Sequence, residues 1–142
     1  MPTPTRESVA ETLRAQGINP TRQRVEIAMV LFSRHAHWSA DQVLAGVNIS
    51  HPETSRATVY NTLKLFVDKG LIREVIVDAS RVFFDSNVSP HYHLYDVDSG
   101  QITDIEASAL TVSGAPALPP GVITEGMDII IRIRRDKSAN AR

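Results

Sequence analysis

The sequence contains no cysteine, which excludes disulfide bonds, zinc sites built from thiolates and cysteine nucleophiles. It also lacks any apolar run approaching the roughly 20 residues that a membrane-spanning helix needs. Residues 1–14 are charged and do not have the apolar centre of a signal peptide. We therefore expect a cytoplasmic protein with no membrane association.

A strong excess of positive charge is also missing. The formal net charge is −1 at pH 7, whereas many nucleic-acid-binding proteins are basic overall. Any DNA-binding surface must therefore arise from local clustering of basic side chains, because the charge of the whole chain does not provide one.

The first half of the chain carries the start and stop signals of four helices. Gly17 is placed to end a first helix over 5–16, and Ser39 and Ser55 are typical N-caps of a third and a fourth helix, which Gly70 would end. In the second and third helices, apolar residues recur at the i, i+3, i+4, i+7 spacing of a buried face. These residues are Val25, Ala28, Met29 and Phe32, then Ala40, Val43, Leu44 and Val47.

The pattern changes after the fourth helix. Residues 71–77 and 82–85 are rich in β-branched and aromatic side chains and flank a turn at 78–81, as in a β-hairpin. Three helices, a recognition-type helix and a hairpin form a winged-helix pattern. We predict a winged-helix DNA-binding domain over residues 1–85.

The second half is predicted to be mostly strand. A polar stretch at 86–90 suits a hinge, and strands are expected at 91–97, 101–105 and 127–134, the last with clear alternation. Three strands with little helix are marginal as an independent core. We therefore expect residues 91–142 to form a dimerisation domain whose apolar face is covered by a second copy.

The fourth helix has two contrasting faces. Val59, Leu63 and Phe66 form the predicted buried stripe. The other side carries small, polar or cationic residues: Arg56, Ala57, Tyr60, Asn61 and Lys64. Such a face suits the major groove, because alanine permits close approach, asparagine can pair with adenine edges, and lysine and arginine neutralise phosphate. An ordinary solvated helix face has the same composition, so this pattern alone leaves both interpretations open.

Five residues form a candidate metal-binding set. His91 and His93 are two apart on a predicted strand, so both rings point to one face. Asp85 precedes the hinge, Asp104 ends the next strand, and His37 lies in the turn before the third helix. Imidazole and carboxylate donors suit Fe(II), Mn(II), Zn(II) or Co(II). Each residue taken singly is better explained as a turn histidine or a solvated strand end, so the site depends on their joint placement.

Several motifs together resemble the ferric-uptake-regulator family. The segment 21–24 is similar to its T-x-Q-R string, and 37–41 to its H-x-S-A-E string. The segment 55–63 is similar to S-x-A-T-V-Y-x-T-L, its recognition helix. The segment 84–93, with Phe-Asp followed by His-Tyr-His, is similar to its metal-binding segment.

The resemblance spans about residues 13–104 and implies an α+β fold, with an N-terminal winged helix joined by a hinge to a small α/β dimerisation domain. It implies a homodimeric repressor of iron-homeostasis or peroxide-stress genes, without enzymatic activity, that binds double-stranded operator DNA. Its metal lies between the domains and fixes the DNA-binding geometry. The ligands carried over by motif are His37, Asp85, His91, His93 and Asp104. The DNA-binding residues carried over are Arg22, Gln23, Arg24, Ser55, Arg56, Ala57, Thr58, Tyr60, Asn61 and Lys64.

Two branches of the family remain open. Aspartate at 85 and 104, and the Tyr-Asn pair at 60–61, are similar to the peroxide-sensing branch, whereas the cysteine-free second half with Pro-Pro-Gly at 119–121 is similar to haem-responsive iron-response regulators.

Asp96 and Ser99 stand where many members carry the first of two C-x-x-C pairs for structural zinc. We expect one divalent ion per subunit, Fe(II) or Mn(II) with Zn(II) as an alternative, haem as a rival signal, and no four-cysteine zinc.

Two other classes of function compete with this interpretation. A small cupin-like enzyme could use the same histidines and carboxylates, but it would need an open coordination position and a substrate pocket. The sequence has no glycine-rich pocket motif and no evident general base beyond the ligands. A winged-helix regulator that does not depend on metal is the second alternative.

Overall fold

The computed structural model describes residues 3–138 and divides into two units, Met1–Val88 and Ser89–Arg142. The division falls within 86–90, the segment predicted to be a hinge; that role stays a prediction. The predicted dimerisation domain extends to residue 142, and residues 139–142 lie outside the described residues. No helix in the described part of the chain is long and apolar enough to cross a membrane.

The first unit contains four helices, each of which begins at a hydroxyl side chain. The helices are α1 Arg6–Ala15, α2 Arg22–Phe32, α3 Ala40–Asn48 and α4 Arg56–Asp68. The hydroxyls of Thr5, Thr21, Ser39 and Ser55 accept hydrogen bonds from backbone N–H groups of the first turns, which satisfies donors that the helix leaves without partners. Gly17 and Gly70 follow α1 and α4 in the left-handed conformation, each with φ of 74°, which favours glycine at a helix end. The predicted helix ends are therefore confirmed.

The buried face of α2 differs in part from the predicted one. Val25 and Ala28 are buried as expected, but Ile27 and Leu31 complete the buried face, while Met29 is only partly buried. The reason is that α2 packs against α1, α3 and α4. A helix with neighbours on several sides buries a wider arc than a single amphipathic stripe.

The sheet of the first unit contains three antiparallel strands in the order β1-β3-β2. They are β1 His37–Trp38, β2 Arg73–Asp78 and β3 Arg81–Asp85. The hairpin of β2 and β3 is the predicted wing. The sequence placed His37 in a turn, whereas the structure places it in the two-residue strand β1, where it lies opposite Asp85. A strand this short has no periodicity from which it could have been predicted.

The second unit contains a sheet with the order β5-β4-β6. Its strands are β4 His91–Asp96, β5 Ile102–Glu106 and β6 Ile130–Ile133, and a short 3-10 turn covers Ala107–Ala109. β4 and β5 are antiparallel neighbours, whereas β4 and β6 are parallel. The central strand β4 therefore carries both histidines of the His-x-His motif.

The last strand is shorter than its alternating pattern predicted. It begins at Ile130, and Met127, where the pattern starts, is exposed and outside the strand. The physical reason is the partner strand: β4 begins at His91, directly after Pro90, which has no N–H to donate. Ile130 pairs with His93, so the residues before about 128 would extend past the start of β4.

Asp96 ties the turn after β4 to the segment after β6. Its Oδ1 accepts hydrogen bonds from the backbone N–H groups of Asp98 (3.0 Å) and Ser99 (3.3 Å). Its Oδ2 accepts from the Arg135 guanidinium, and the backbone N–H of Arg135 donates to Asp98 Oδ2 at 2.8 Å. Although desolvation by burial opposes ionisation of Asp96, the hydrogen bonds from Asp98 and Ser99 and the charge of Arg135 together lower its pKa.

We expect Asp96→Asn to lower the thermal unfolding temperature at neutral pH, because it removes a carboxylate that accepts several hydrogen bonds. A lowered pKa in the folded state means that this stabilisation is present above the unfolded value of about 3.9 and is lost as the pH falls through the folded value. Unfolding followed by circular dichroism should therefore show a difference between the two proteins at pH 7 that closes in acid. Glu125→Gln, which neutralises an exposed carboxylate in the same unit, is the control; an equal effect there would contradict the assignment.

Candidate metal centre and DNA-reading face

The first group of candidate ligands is a pair, His37 and Asp85, brought together by the register of β1 and β3. His37 Nε2 lies 3.2 Å from Asp85 Oδ2. The other carboxylate oxygen, Oδ1, accepts a hydrogen bond from the Asn87 backbone N–H at 2.9 Å. Asp85 is fully buried, so its charge must be balanced by nearby groups. The backbone thus orients the carboxylate and directs its second oxygen to the imidazole.

The second group contains three residues, His91, His93 and Asp104. Alternation along β4 puts both rings on one face, and the pairing of β4 with β5 sets Asp104 opposite His93. The Nε2 atoms of both histidines lie 3.5 Å from the same oxygen, Asp104 Oδ1, and the ring centroids are 4.5 Å apart. Both histidines are buried. Three potential ligand atoms therefore converge within one sheet.

The backbone also fixes which nitrogen of His91 can act as a ligand. His91 Nδ1 lies 2.6 Å from the carbonyl oxygen of Ser89. Because a carbonyl only accepts, Nδ1 is the protonated nitrogen and the neutral ring carries its lone pair on Nε2. Metal-binding histidines commonly donate their other N–H to such an acceptor, which fixes both the tautomer and the orientation of the ring.

The separations within each group fit a transition-metal ion. Two ligands each about 2.1 Å from an ion lie roughly 3.0 Å apart in octahedral geometry and roughly 3.4 Å apart in tetrahedral geometry, and the observed separations are 3.2 Å in the pair and 3.5 Å in the three-residue group. The donor atoms are imidazole nitrogen and carboxylate oxygen, which suit Fe(II), Mn(II) and Zn(II). Each group therefore fits the divalent ion that the sequence predicted.

Most of the residues predicted to contact DNA are exposed on the first unit. On α4, the exposed side chains are Arg56, Ala57, Tyr60, Asn61 and Lys64, and the N-terminus of α2 exposes Arg22 and Gln23. One open cleft is lined by residues of both segments, including Arg22, Gln23, Thr58 and Asn61. The two predicted DNA-binding segments thus form one continuous polar surface.

Three of the predicted DNA-binding residues also have local structural roles. The Ser55 hydroxyl accepts the backbone N–H of Thr58 at 3.1 Å, and the two hydroxyls lie 2.9 Å apart. Arg24 is partly buried and donates from Nη1 to the carbonyl of Asn19 at 3.0 Å. These contacts hold the start of α4 and the loop before α2, so the side chains of Ser55, Thr58 and Arg24 are partly committed to the fold.

A model of the Ferric uptake regulator family matches residues 15–117, which is most of the chain. The chain belongs to the ferric uptake regulator family. It is 38% identical over 100 residues to the peroxide-responsive repressor PerR of Staphylococcus aureus, an alignment that covers 70% of this chain and 67% of that protein. This similarity supports the PerR-like branch among the two that the sequence left open.

Solved structures of family members share the fold. The ferric uptake regulator Fur of Helicobacter pylori superposes with a TM-score of 0.68 at 16% identity, covering 98% of this chain and 97% of that one. The ferric uptake regulator from Pseudomonas aeruginosa with manganese gives a TM-score of 0.67 at 22% identity, covering 88% and 96%. The predicted α+β architecture, a winged helix followed by a small α/β domain, is confirmed.

This Fur-family chain has a simpler set of metal donors than some relatives. The Helicobacter pylori protein is described as having three functional metal-binding sites. Here, apart from the ligands described above, no group of three or more histidine, aspartate or glutamate side chains within residues 3–138 is close enough to share an ion. Without cysteine, a four-cysteine zinc site is excluded. One ion per subunit stays our expectation.

Sequence reasoning missed three contacts around the candidate sites. It did not find the Ser89 carbonyl that orients His91, because backbone acceptors leave no trace in a residue pattern. It gave no role to Asp41, which pairs with Arg56 at the start of α4. It gave no role to His51, whose Nε2 lies 3.4 Å from Glu26 Oε2. Of Asp41, His51 and Glu26, only Asp41 lay within a motif that could have drawn attention to it.

We expect Asp104→Asn to weaken Mn(II) binding by at least about tenfold, because a neutral amide replaces the charged oxygen to which both histidine rings turn. Isothermal titration of the metal-free protein with Mn(II) measures this. Glu106→Gln is the matched control, since it removes the same charge from an exposed position of the same strand. Equal losses in the two variants would mean that bulk charge, rather than ligation, governs the affinity.

Proposed function

We propose that this chain is a metal-dependent, DNA-binding transcriptional repressor of the peroxide-responsive branch, acting as a homodimer on double-stranded operator DNA and without enzymatic activity. The observation that carries the proposal is the pair of ligand groups with transition-metal spacing in a Fur-family chain whose recognition helix α4 presents an exposed polar face. The similarity to peroxide-responsive repressors supports the branch.

All five ligands are proposed to bind one ion. The pair of His37 and Asp85 offers two donor atoms and the three-residue group offers three, and neither number alone fills the coordination sphere of Fe(II) or Mn(II). Six peptide steps separate Asp85 from His91, which limits the distance between their Cα atoms to roughly 20 Å in any arrangement. The short connection thus allows both groups to reach a common ion.

The ligands would act by linking a DNA-reading unit to a dimerising unit. His37 and Asp85 belong to the sheet that carries the wing, whereas His91, His93 and Asp104 belong to the other sheet. A divalent ion supplies positive charge for the two carboxylates and a preferred coordination geometry. With all five residues engaged, the orientation of α4 relative to the dimer is fixed, and two copies of α4 can match half-sites about one helical turn apart or a multiple of it.

The free-energy difference needed to couple metal binding to DNA binding is modest. A ligand set that binds the ion better in the DNA-competent arrangement by about 1–3 kcal/mol changes DNA affinity by roughly 5- to 150-fold. Loss of one ligand would remove part of that preference without exposing the hydrophobic core of the first unit, which is built from other residues.

We expect His37→Ala to lower the Mn(II)-dependent DNA affinity by about tenfold or more while the metal-free protein stays folded, because no residue of the hydrophobic core is changed. The probe is a duplex selected by the Mn(II)-loaded wild-type protein from a random pool, and fluorescence anisotropy gives the affinity. His35→Ala, an exposed histidine two residues earlier, is the matched control. Equal binding by the wild type with Mn(II) and with chelator would instead support a regulator that does not depend on metal.

Peroxide and haem can be separated as signals. We expect hydrogen peroxide to add one oxygen atom to His37 or His91 in the Fe(II)-loaded protein and not in the Mn(II)-loaded protein, as peptide mass spectrometry would detect. A haem-responsive regulator would instead remain unmodified and show a haem absorption shift that depends on His91 and His93. That second result would move the chain from the peroxide-responsive to the haem-responsive branch.

A further inference from the structure

The recognition helix begins with an arginine that is already paired. Arg56, the first residue of α4, donates from Nη1 to Asp41 Oδ1 in the first turn of α3. Both side chains are exposed, at 61% and 67%. The pair therefore lies in solvent at the N-terminus of the helix that is proposed to enter the major groove.

The local sequence explains why Arg56 attracts a counter-ion. The N-terminal end of a helix carries partial positive charge, so a cation there is unfavourable and an anion favourable. The first turn of α4 contains no acidic residue, and Asp41 supplies the missing negative charge from the neighbouring helix. The pKa of Arg56 is raised, first by the hydrogen bond and charge of Asp41 and then by Tyr60.

We propose that Asp41 is a specificity-determining residue: it holds Arg56 in the DNA-free protein and opposes phosphate binding at the start of α4 unless base contacts compensate. This inference rests on the proposed DNA-binding function. It assigns to Asp41 a part in discriminating between DNA sequences, although Asp41 itself reads no base.

The argument is electrostatic. A phosphate that contacts the Arg56 guanidinium would lie within roughly 7 Å of the Asp41 carboxylate, which is inside the screening length of about 8–10 Å at moderate salt. Two anions this close repel each other if Arg56 keeps its contact with Asp41. If Arg56 instead leaves Asp41 to bind the phosphate, the ion pair is lost. In either case, binding to phosphate through Arg56 is weaker than it would be with an uncharged residue at position 41.

The penalty acts unequally on different DNA sequences. Non-specific binding depends almost wholly on phosphate contacts, so it bears the full cost of displacing or opposing Asp41. At an operator, Arg56 can contact an uncharged base edge instead of a phosphate, and Asp41 does not repel such a contact. Asp41 therefore lowers non-specific affinity more than specific affinity and raises their ratio.

A role in holding the fold together is the competing explanation for the pair. Ion pairs between exposed side chains contribute little to stability, because they are solvated and screened. If Asp41 acts on DNA selection instead, its neutralisation should change DNA binding while the unfolding temperature stays close to that of the wild type. A role in stability and a role in DNA selection therefore predict different results for the same variant.

The experiment compares the wild type, Asp41→Asn, Arg56→Gln and the double variant, all Mn(II)-loaded. The probes are the selected duplex and a random-sequence duplex of equal length, titrated over a salt series by fluorescence anisotropy. We expect Asp41→Asn to bind the random duplex roughly threefold more tightly or better, with a salt slope steeper by up to about 0.9. The gain on the selected duplex should be smaller, and neither gain should appear when Arg56 is glutamine.

Asp68→Asn is the control, because it removes the same charge from an exposed position at the other end of α4. Three results would overturn the inference: weaker binding by Asp41→Asn to both duplexes, an unchanged ratio, or an equal gain in Asp68→Asn or in the Arg56→Gln background. Asp41→Ser, which keeps a hydroxyl at this turn, provides the same comparison if Asp41→Asn does not fold. A wild type that binds neither duplex with any metal would refute the proposed function itself.

Discussion

The position of the candidate ligands depends on the register of two strand pairs. His37 lies opposite Asp85 because β1 pairs with β3, and His93 lies opposite Asp104 because β4 pairs with β5. A slip of one residue in either pair would turn a ligand to the other face of its sheet. Register is fixed by the apolar residues that each sheet buries, so the hydrophobic pattern of the strands indirectly sets the coordination chemistry.

Burial makes this arrangement costly without a balancing charge. Asp85 is fully buried, and His91 and His93 are nearly so. Ionised groups removed from water must be paired, hydrogen-bonded or bound to metal. The Asn87 N–H and the Ser89 carbonyl orient Asp85 and His91 through backbone contacts, so these ligands do not depend on the ion for their alignment. A preorganised group of this kind loses little conformational entropy when it binds a metal.

In the second unit of this Fur-family chain, hydrogen bonds connect the turn after β4 to the segment after β6 without cysteine. Many members of the family carry the first of two C-x-x-C pairs for structural zinc where Asp96 and Ser99 stand here. Here Asp96 accepts hydrogen bonds from its own turn and from Arg135 beyond β6. Charge-assisted hydrogen bonds are individually weaker than zinc–thiolate ligation. They require no metal, and they leave His91, His93 and Asp104 as the candidate transition-metal donors of this unit among the described residues.

The sequence by itself determined the helices, the wing and the set of candidate ligands, because caps, glycine stops and short motifs are local signals. It could not determine the strand β1, the start of β6 at Ile130, the buried face of α2, or the partner of Arg56. Each of these depends on which element lies alongside. Strands exist only where a neighbour accepts their hydrogen bonds, and Asp41 meets Arg56 only because α3 and α4 pack together. Tertiary structure decided them because pairing between distant segments has no local periodicity.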